Sequence, residues 1–193
     1  MNQLVLGLSE VDQHEDALVV QEAELSMKRR FGASAESMLS TQSNLALTYQ
    51  NLGRVDEALS LRLEVYIGYL KLSGEEDLKT LLEANNYAST LIELERFKEA
   101  KSLLRKMMPV ARRFLGASHH ITLVMSWNYA VALYEGESST LDDLREAVTT
   151  LEETARTAQR VLGGTHPTAK GIEHHLQNAR AALRARETPS MSA

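Results

Sequence analysis

The sequence predicts an all-α fold built from repeated helical hairpins, and three observations support this prediction. The chain of 193 residues contains only three prolines and ten glycines, and leucine, alanine and glutamate, which favour helix, are abundant. No run of β-branched residues alternates with the period of two that a half-buried strand requires. Residues of the same type also recur at a fixed spacing of 42, which is typical of a solenoid of stacked hairpins.

The 42-residue spacing holds at several kinds of position. Three sets of identical residues recur, namely Asn44, Asn86 and Asn128; Ala46, Ala88 and Ala130; and Gly32, Gly74 and Gly116. Glu57-Ala58 and Glu99-Ala100 also agree, and the pattern resumes at Glu146-Ala147 once a short insertion around residues 135–143 is allowed. Small alanines in register indicate places where the two helices of a hairpin cross closely. Each repeat is therefore predicted to be one helical hairpin.

Apolar residues at offsets of three and four predict two helices in each repeat. The predicted helices cover residues 36–52, 55–72, 78–94, 97–115, 121–134 and 141–162, followed by a last helix over 168–186. Glycine ends these helices, and Pro167 suits the first turn of the last one. Residues 11–31 are predicted to form the second helix of a hairpin whose first helix is at most a stub.

We expect a single repeat domain over residues 1–186. Its units are a partial unit 1–32, full units 33–74 and 75–116, a unit 117–163 that carries the insertion, and a polar capping helix 164–186. Residues 187–193 are expected to form a disordered tail.

Composition and charge exclude several classes of function. The absence of cysteine rules out disulfides, cysteine-ligated metals and a thiol nucleophile. A net charge of −5 has the wrong sign for a protein that binds a phosphate backbone, so nucleic acid is not an expected partner. No apolar run approaches the roughly 18 to 20 residues of a membrane-spanning helix, and no basic segment marks a secretory signal. We therefore expect a cytoplasmic protein that does not enter a membrane.

Catalytic and metal-binding patterns are also missing. The sequence contains no nucleophile elbow, phosphate-binding loop or HExxH pattern. The pairs His119-His120 and His174-His175 have no carboxylate or histidine four residues away that would complete a metal site. Acidic clusters fall at predicted helix starts and basic clusters near helix ends, where the helix dipole favours them. We expect no enzymatic activity, no cofactor and no bound metal.

Four stretches carry a family resemblance. Residues 44–49 (Asn-Leu-Ala-Leu-Thr-Tyr), 52–59 (Leu-Gly-Arg-Val-Asp-Glu-Ala-Leu) and 114–116 (Phe-Leu-Gly) resemble the tetratricopeptide repeat in its longer, kinesin-light-chain-like form. Residues 163–168 resemble the Gly-x-x-His-Pro-x-Thr boundary of that family, although Thr168 directly follows Pro167. The resemblance covers about residues 12–185. It implies a right-handed superhelix in which the first helix of each unit lines a concave groove that binds extended peptides.

The resemblance also implies which residues would contact a peptide. Asn44, Asn86 and Asn128 match the position at which family members use asparagine to bond a peptide backbone, since one amide offers both a donor and an acceptor. The neighbouring groove positions are Ser40, Ser43, Asn51, Leu82, Asn85, Ser89, Val124, Trp127, Val131 and Tyr134, with His175 on the last helix. Because Ser43, Leu47, Val124 and Asn128 stand where a carboxylate clamp requires basic residues, that subclass is disfavoured.

Two functions remain open at this point. The first is an adapter that binds an extended peptide or partner segment in the groove. The alternative is a structural or regulatory repeat segment of a larger multidomain signalling protein, or a self-associating scaffold. Leu4, Val5, Leu6 and Leu8 favour the alternative because they would lack a normal cover, so either upstream sequence precedes them or this N-terminal edge packs on a partner. A solvated helix position also accounts for each asparagine, and packing accounts for Trp127 as well as binding does.

Overall fold

The computed structural model describes residues 2–188, with side chains from Gln13 onward. Over these residues it contains eight α-helices and no strand, which confirms the predicted all-α fold. The helices are α1 (Asn2–Arg30), α2 (Ala35–Asn51), α3 (Val55–Ser73), α4 (Leu78–Glu93), α5 (Phe97–Phe114), α6 (His120–Tyr134), α7 (Leu141–Leu162) and α8 (Pro167–Glu187).

The helices from α2 onward agree with the predicted ranges to within one residue at each end. The N-terminal helix does not, because α1 is one continuous helix from Asn2 and no separate stub precedes residue 11. Residues 2–11 contain no proline or turn sequence that would interrupt a helix, and Gly7 alone does not break it. The side chains of Leu4, Val5, Leu6 and Leu8 lie outside the described residues.

The chain divides into two compact units, residues 1–90 and 91–193, and each is described by itself. In the first unit, α1 packs on α2 and α2 packs on α3. Ala46, Ala58 and Ala88 are fully buried, as the close crossing of helices requires. Leu45 and Val65 complete the centre of this core.

The second unit contains α5 to α8. Consecutive helices pack on one another, and α8 also contacts α6. Leu104, Leu123, Leu151 and Ile172 are buried at its centre. Residues 135–140 of the predicted insertion 135–143 form the connection, whereas residues 141–143 belong to the first turn of α7. Thr140 and Asp143 exchange hydrogen bonds that cap the start of this helix.

The backbone conformation explains why glycine recurs at the ends of the hairpins. Gly32, Gly74 and Gly116, which are spaced 42 residues apart, have φ angles of 69°, 83° and 90°. This left-handed region is accessible to glycine at little cost and is a common way to end a helix. The recurrence of glycine in the sequence therefore reflects a recurrent turn.

The C-terminal boundary differs slightly from the prediction. Glu187, which was expected in the tail, is the last residue of α8. Residues 189–193, the rest of the predicted tail, lie outside the described residues, and the division into repeat units stays a prediction. In the part of the chain that the structure describes, no helix has the length and apolar character needed to cross a membrane.

Two candidate binding surfaces

The predicted site residues fall into one group in each unit. We name the first group, on α2 and α4, the amide surface; it comprises Ser43, Asn44, Asn85, Asn86 and Ser89. We name the second group, on α6 and α8, the aromatic surface; it comprises Trp127, Asn128, Val131, Tyr134 and His175. Asn44 and Ser89 are exposed, whereas Asn85 and Val131 are buried, and the other members are half-buried.

A buried ion pair lies beneath the amide surface. Arg62 on α3 and Glu83 on α4 are only 5 % and 4 % exposed, and their closest charged atoms, Nη1 and Oε2, are 3.5 Å apart. Burial lowers the pKa of the Arg62 guanidinium, and the Glu83 carboxylate opposes this shift. A pair removed from water in this way depends on additional hydrogen bonds to its remaining polar atoms.

Two members of the amide surface supply such bonds. The Ser43 hydroxyl donates to Oε1 of Glu83 at 2.6 Å, and the Asn86 amide donates to Oε2 of the same carboxylate at 3.3 Å. Arg62 in turn donates through Nη1 to the Ser43 hydroxyl at 3.3 Å. Ser43 and Asn86 therefore connect the surface to a buried charge, which holds both side chains in place.

The aromatic surface brings together residues that are far apart in the sequence. The ring of His175 on α8 lies edge-on to Trp127, with 5.3 Å between ring centres, and edge-on to Tyr134 at 6.1 Å. The Tyr134 hydroxyl is 2.6 Å from Nδ1 of His175 and donates to Oε1 of Glu135 at 2.9 Å. Three of the predicted residues thus form one cluster across two helices.

The ionisable groups of this cluster shift one another's pKa values. The Tyr134 hydroxyl has a single proton and two neighbours, Oε1 of Glu135 and Nδ1 of His175, so the direction of the bond to His175 depends on the tautomer of the ring. Burial lowers the pKa of His175, as does the neighbouring His174, while Glu135 raises it. Burial also raises the pKa of Tyr134, with a further contribution from its bond to Glu135. Both effects favour a neutral cluster at physiological pH.

Trp127 is held by close packing and retains an unused donor. Gly171 lies against the indole, since a Cβ atom there would come within 2.5 Å of Cη2 of Trp127. Among the described residues, nothing accepts a hydrogen bond from the buried Nε1 of this tryptophan. The half-buried indole can therefore offer an apolar face to an incoming group, whereas its Nε1 atom is enclosed.

Sequence reasoning missed the Arg62–Glu83 pair, although a signal was present. Arg62 interrupts the apolar stripe of α3 between Ala58 and Val65, and the residue 42 positions later is Leu104. Likewise, Met125 stands 42 positions after Glu83. A charged residue at an apolar register position is a sign of a buried ionic contact. Among the described residues, no three histidine, aspartate or glutamate side chains are grouped as a metal site would require.

Comparison with known proteins supports the repeat class. The family model described as Tetratricopeptide repeat matches residues 38–77 and 84–121. No curated protein matches this chain.

Solved structures share the fold over nearly the whole chain. A kinesin-light-chain repeat protein of Podosopora anserina, with nearly identical TPR-like repeats, has a TM-score of 0.72 at 22 % identity, covering 98 % of this chain and 96 % of its own. A single-site variant of that repeat protein gives 0.76 at 23 % identity, with 96 % and 87 % covered. BtubC (BKLC) from P. vanneervenii gives 0.52 at 14 % identity, with 100 % and 95 % covered.

The eight helices, the buried register alanines and these similarities define an all-α solenoid of helical hairpins. The family model described as Tetratricopeptide repeat covers two stretches of this solenoid, and its fold is similar to that of solved kinesin-light-chain TPR-like repeats.

Proposed function

We propose that this protein is a non-catalytic adapter that binds extended segments of partner proteins at the amide surface and at the aromatic surface. Tetratricopeptide repeats in general mediate contacts between proteins, and the proposal assigns that role to particular side chains. The observation that carries it is the cluster of Trp127, Tyr134 and His175, in which residues of two helices converge on a half-buried indole with an unpaired N–H.

The aromatic surface suits an apolar anchor of the partner. Aromatic side chains contribute large contact area at a small entropic cost, and tryptophan and tyrosine are enriched among residues that dominate binding energy. Gly171 and His175 fix the indole in one orientation, so little conformational freedom is lost when a partner binds. We expect an apolar or aromatic side chain of the partner to pack here.

The amide surface suits a peptide backbone. Asn44 is exposed on α2, and an amide can donate to a carbonyl and accept from an N–H of the same extended segment. Asn86 is held by its bond to Glu83, so it is preorganised relative to a solvated asparagine. Ser89 is exposed on the same helix as Asn86 and can add a hydroxyl contact.

A random peptide library displayed on phage tests this proposal without knowledge of the natural partner. Peptides selected on the wild-type protein are expected to contain an apolar anchor and to lose binding at least about tenfold with Asn44→Ala or with Trp127→Ala, which corresponds to about 1.4 kcal/mol of binding free energy. Gln159→Ala, which removes an exposed amide from α7, is the matched control and should bind the peptides like the wild type.

The double variant Asn86→Ala/Asn128→Ala extends the test to the remaining register asparagines. Because Asn86 bonds a buried carboxylate, urea unfolding of this variant must be measured beside its binding. Lost binding by a variant that remains folded at the assay temperature supports the proposal. Retained binding by the Asn44, Trp127 and double variants alike would contradict it.

A further inference from the structure

The two faces of α1 differ sharply in their surroundings. One face packs on α2: Leu25 is buried, and Lys28 donates through Nζ to the hydroxyl of Thr41 at 2.6 Å. Gln21 accepts a hydrogen bond from Thr48 on the same side. This face belongs to the core of the first unit, and the opposite face has no such role.

The opposite face of α1 is apolar and exposed. Val19, Val20, Met27 and Phe31 are 67 %, 66 %, 60 % and 73 % exposed, and together with Ala23 they line a shallow groove of about 620 Å³. Single exposed apolar residues are ordinary, but a contiguous patch of this kind on one helix marks an interaction surface. We name these five residues the α1 patch.

Opposite charges stand at the two ends of the α1 patch. Residues seven apart lie almost on one line along a helix, so Asp16, Ala23 and Arg30 share the exposed face. All three are exposed, and the Arg30 guanidinium lies 5.7 Å from the centre of the Phe31 ring. The face therefore runs from an acidic end through an apolar centre to a basic end.

We propose that the α1 patch binds the same patch of a second copy of this chain, with the two helices antiparallel and crossing at Ala23. This arrangement places Asp16 opposite Arg30 of the partner subunit and Val19 opposite Met27 of the partner subunit. A small residue at the crossing lets the two backbones approach closely. Such a two-fold contact is self-complementary and closes without forming a filament.

Charge complementarity selects a second copy in this orientation. A parallel pair would bring like charges together at both ends of the patch, whereas the antiparallel pair satisfies both ends at once. The α1 patch shares no residue with the amide surface or the aromatic surface. Dimerisation and peptide binding can therefore fail separately.

Sedimentation equilibrium across a wide range of concentrations tests the proposal. The average mass of the wild type is expected to rise from the chain mass of 21.5 kDa toward twice that value. Ala23→Glu places a charge at the crossing and should keep the protein monomeric throughout. Ala181→Glu, which makes the same change at an exposed position of α8, should associate like the wild type.

Charge reversal tests the orientation. Asp16→Arg alone is expected to weaken the dimer at least tenfold, because it sets two basic groups against each other. Asp16→Arg combined with Arg30→Asp should restore association, since each end again meets its opposite. Both positions are exposed, so neither change disturbs the core, and circular dichroism checks that helicity is unchanged.

A wild type that stays monomeric would overturn the proposal. So would a dimer that Ala23→Glu leaves intact, which would place the contact elsewhere, or a double charge reversal that fails to restore association. Loss of peptide binding at the amide and aromatic surfaces would leave this result unaffected.

Discussion

Positions 42 residues apart are buried in both units, but they carry charged side chains in the first unit and apolar side chains in the second. In the first unit, Arg62 and Glu83 form a buried ion pair, whereas Leu104 and Met125, which stand 42 residues later, are fully buried apolar side chains. The register position is interior in both cases. The comparison indicates that the hairpin geometry buries these positions, and that either an ion pair or apolar side chains can fill them.

The amide surface and the aromatic surface differ in the same way, because polar residues of the first are replaced by apolar residues in the second. Asn85 and Ser89 in the amide surface are replaced by Trp127 and Val131 in the aromatic surface at the 42-residue spacing. At these register positions the first unit carries polar side chains both in its interior and on its surface, whereas the second unit carries apolar ones. One repeat framework therefore presents two chemically distinct surfaces, and we expect substitutions in the two units to differ in their energetic consequences.

The largest expected effect comes from breaking the buried pair. Glu83→Met leaves the Arg62 guanidinium buried without its counter-charge, and loss of one partner of such a pair costs about 3 to 5 kcal/mol. The free energy of unfolding, measured by urea titration, should fall by that amount. A loss below about 1 kcal/mol would mean that water reaches Arg62 and that the pair is not buried in solution.

Replacing both residues of the pair by those found 42 positions later is the control for this result. Arg62→Leu/Glu83→Met installs the residues found 42 positions later, and apolar replacement of a buried pair is often neutral or stabilising. The double variant should recover most of the stability lost by Glu83→Met. A double variant as unstable as Glu83→Met would show that positions 62 and 83 do not accommodate the residues found 42 positions later.

The next largest loss of stability is expected at Gly171, which packs against the indole of Trp127. Gly171→Ala introduces a Cβ atom 2.5 Å from Trp127, and overpacking of this kind costs about 1 to 3 kcal/mol. Since Trp127 is the only tryptophan, its fluorescence reports the displacement directly, and we expect a red shift as the indole moves toward water. Gly164→Ala, where no atom lies near the added Cβ, should leave the emission unchanged.

A smaller change in the free energy of unfolding is expected when the pH is lowered. Because burial lowers the pKa of His175 in the folded protein, the unfolded chain binds a proton first as the pH falls. Stability should therefore fall as the pH drops below about 6.5 and level off below the folded pKa, while no change from this group is expected above that range. The amide surface contains no such group, so the effect belongs to the second unit.

His175→Asn removes the titrating group and should flatten this part of the stability profile. His120→Asn, at an exposed position, is the control and should keep the wild-type profile. Urea unfolding at a series of pH values measures both. A slope that persists in His175→Asn would assign the pH dependence to other groups.

The smallest effect is expected at a surface ion pair. Arg96 and Glu99, whose Nε and Oε1 atoms are 2.7 Å apart, are 43 % and 54 % exposed. Exposed pairs of this kind contribute below about 0.5 kcal/mol in many proteins. Glu99→Gln should thus change the urea midpoint little, in contrast to Glu83→Met. A loss comparable to that of Glu83→Met would show that burial does not explain the difference between the two pairs.

The sequence predicted the helices well because local signals determine them. Glycines at the hairpin ends and apolar stripes at offsets of three and four placed α2 to α8 to within one residue. The continuity of α1 was missed because the resemblance suggested a hairpin where the chain forms one long helix.

The candidate surfaces could be predicted only in part. The repeat spacing identified Trp127, Tyr134 and His175, but not that their rings form one cluster, because the contact joins α6 to α8 across more than 40 residues. The Arg62–Glu83 pair could not be derived from helical periodicity, which treats a charged residue as a surface residue. Such contacts depend on tertiary packing, which local patterns do not encode.

The most direct test of the account is a fluorescence titration of Trp127 with a peptide selected on the wild-type protein. We expect a saturable blue shift, since the bound peptide shields the indole from water, and a shift of the same size with Gln159→Ala. Binding that leaves the emission of Trp127 unchanged for every selected peptide would contradict the assignment of the aromatic surface as a binding site.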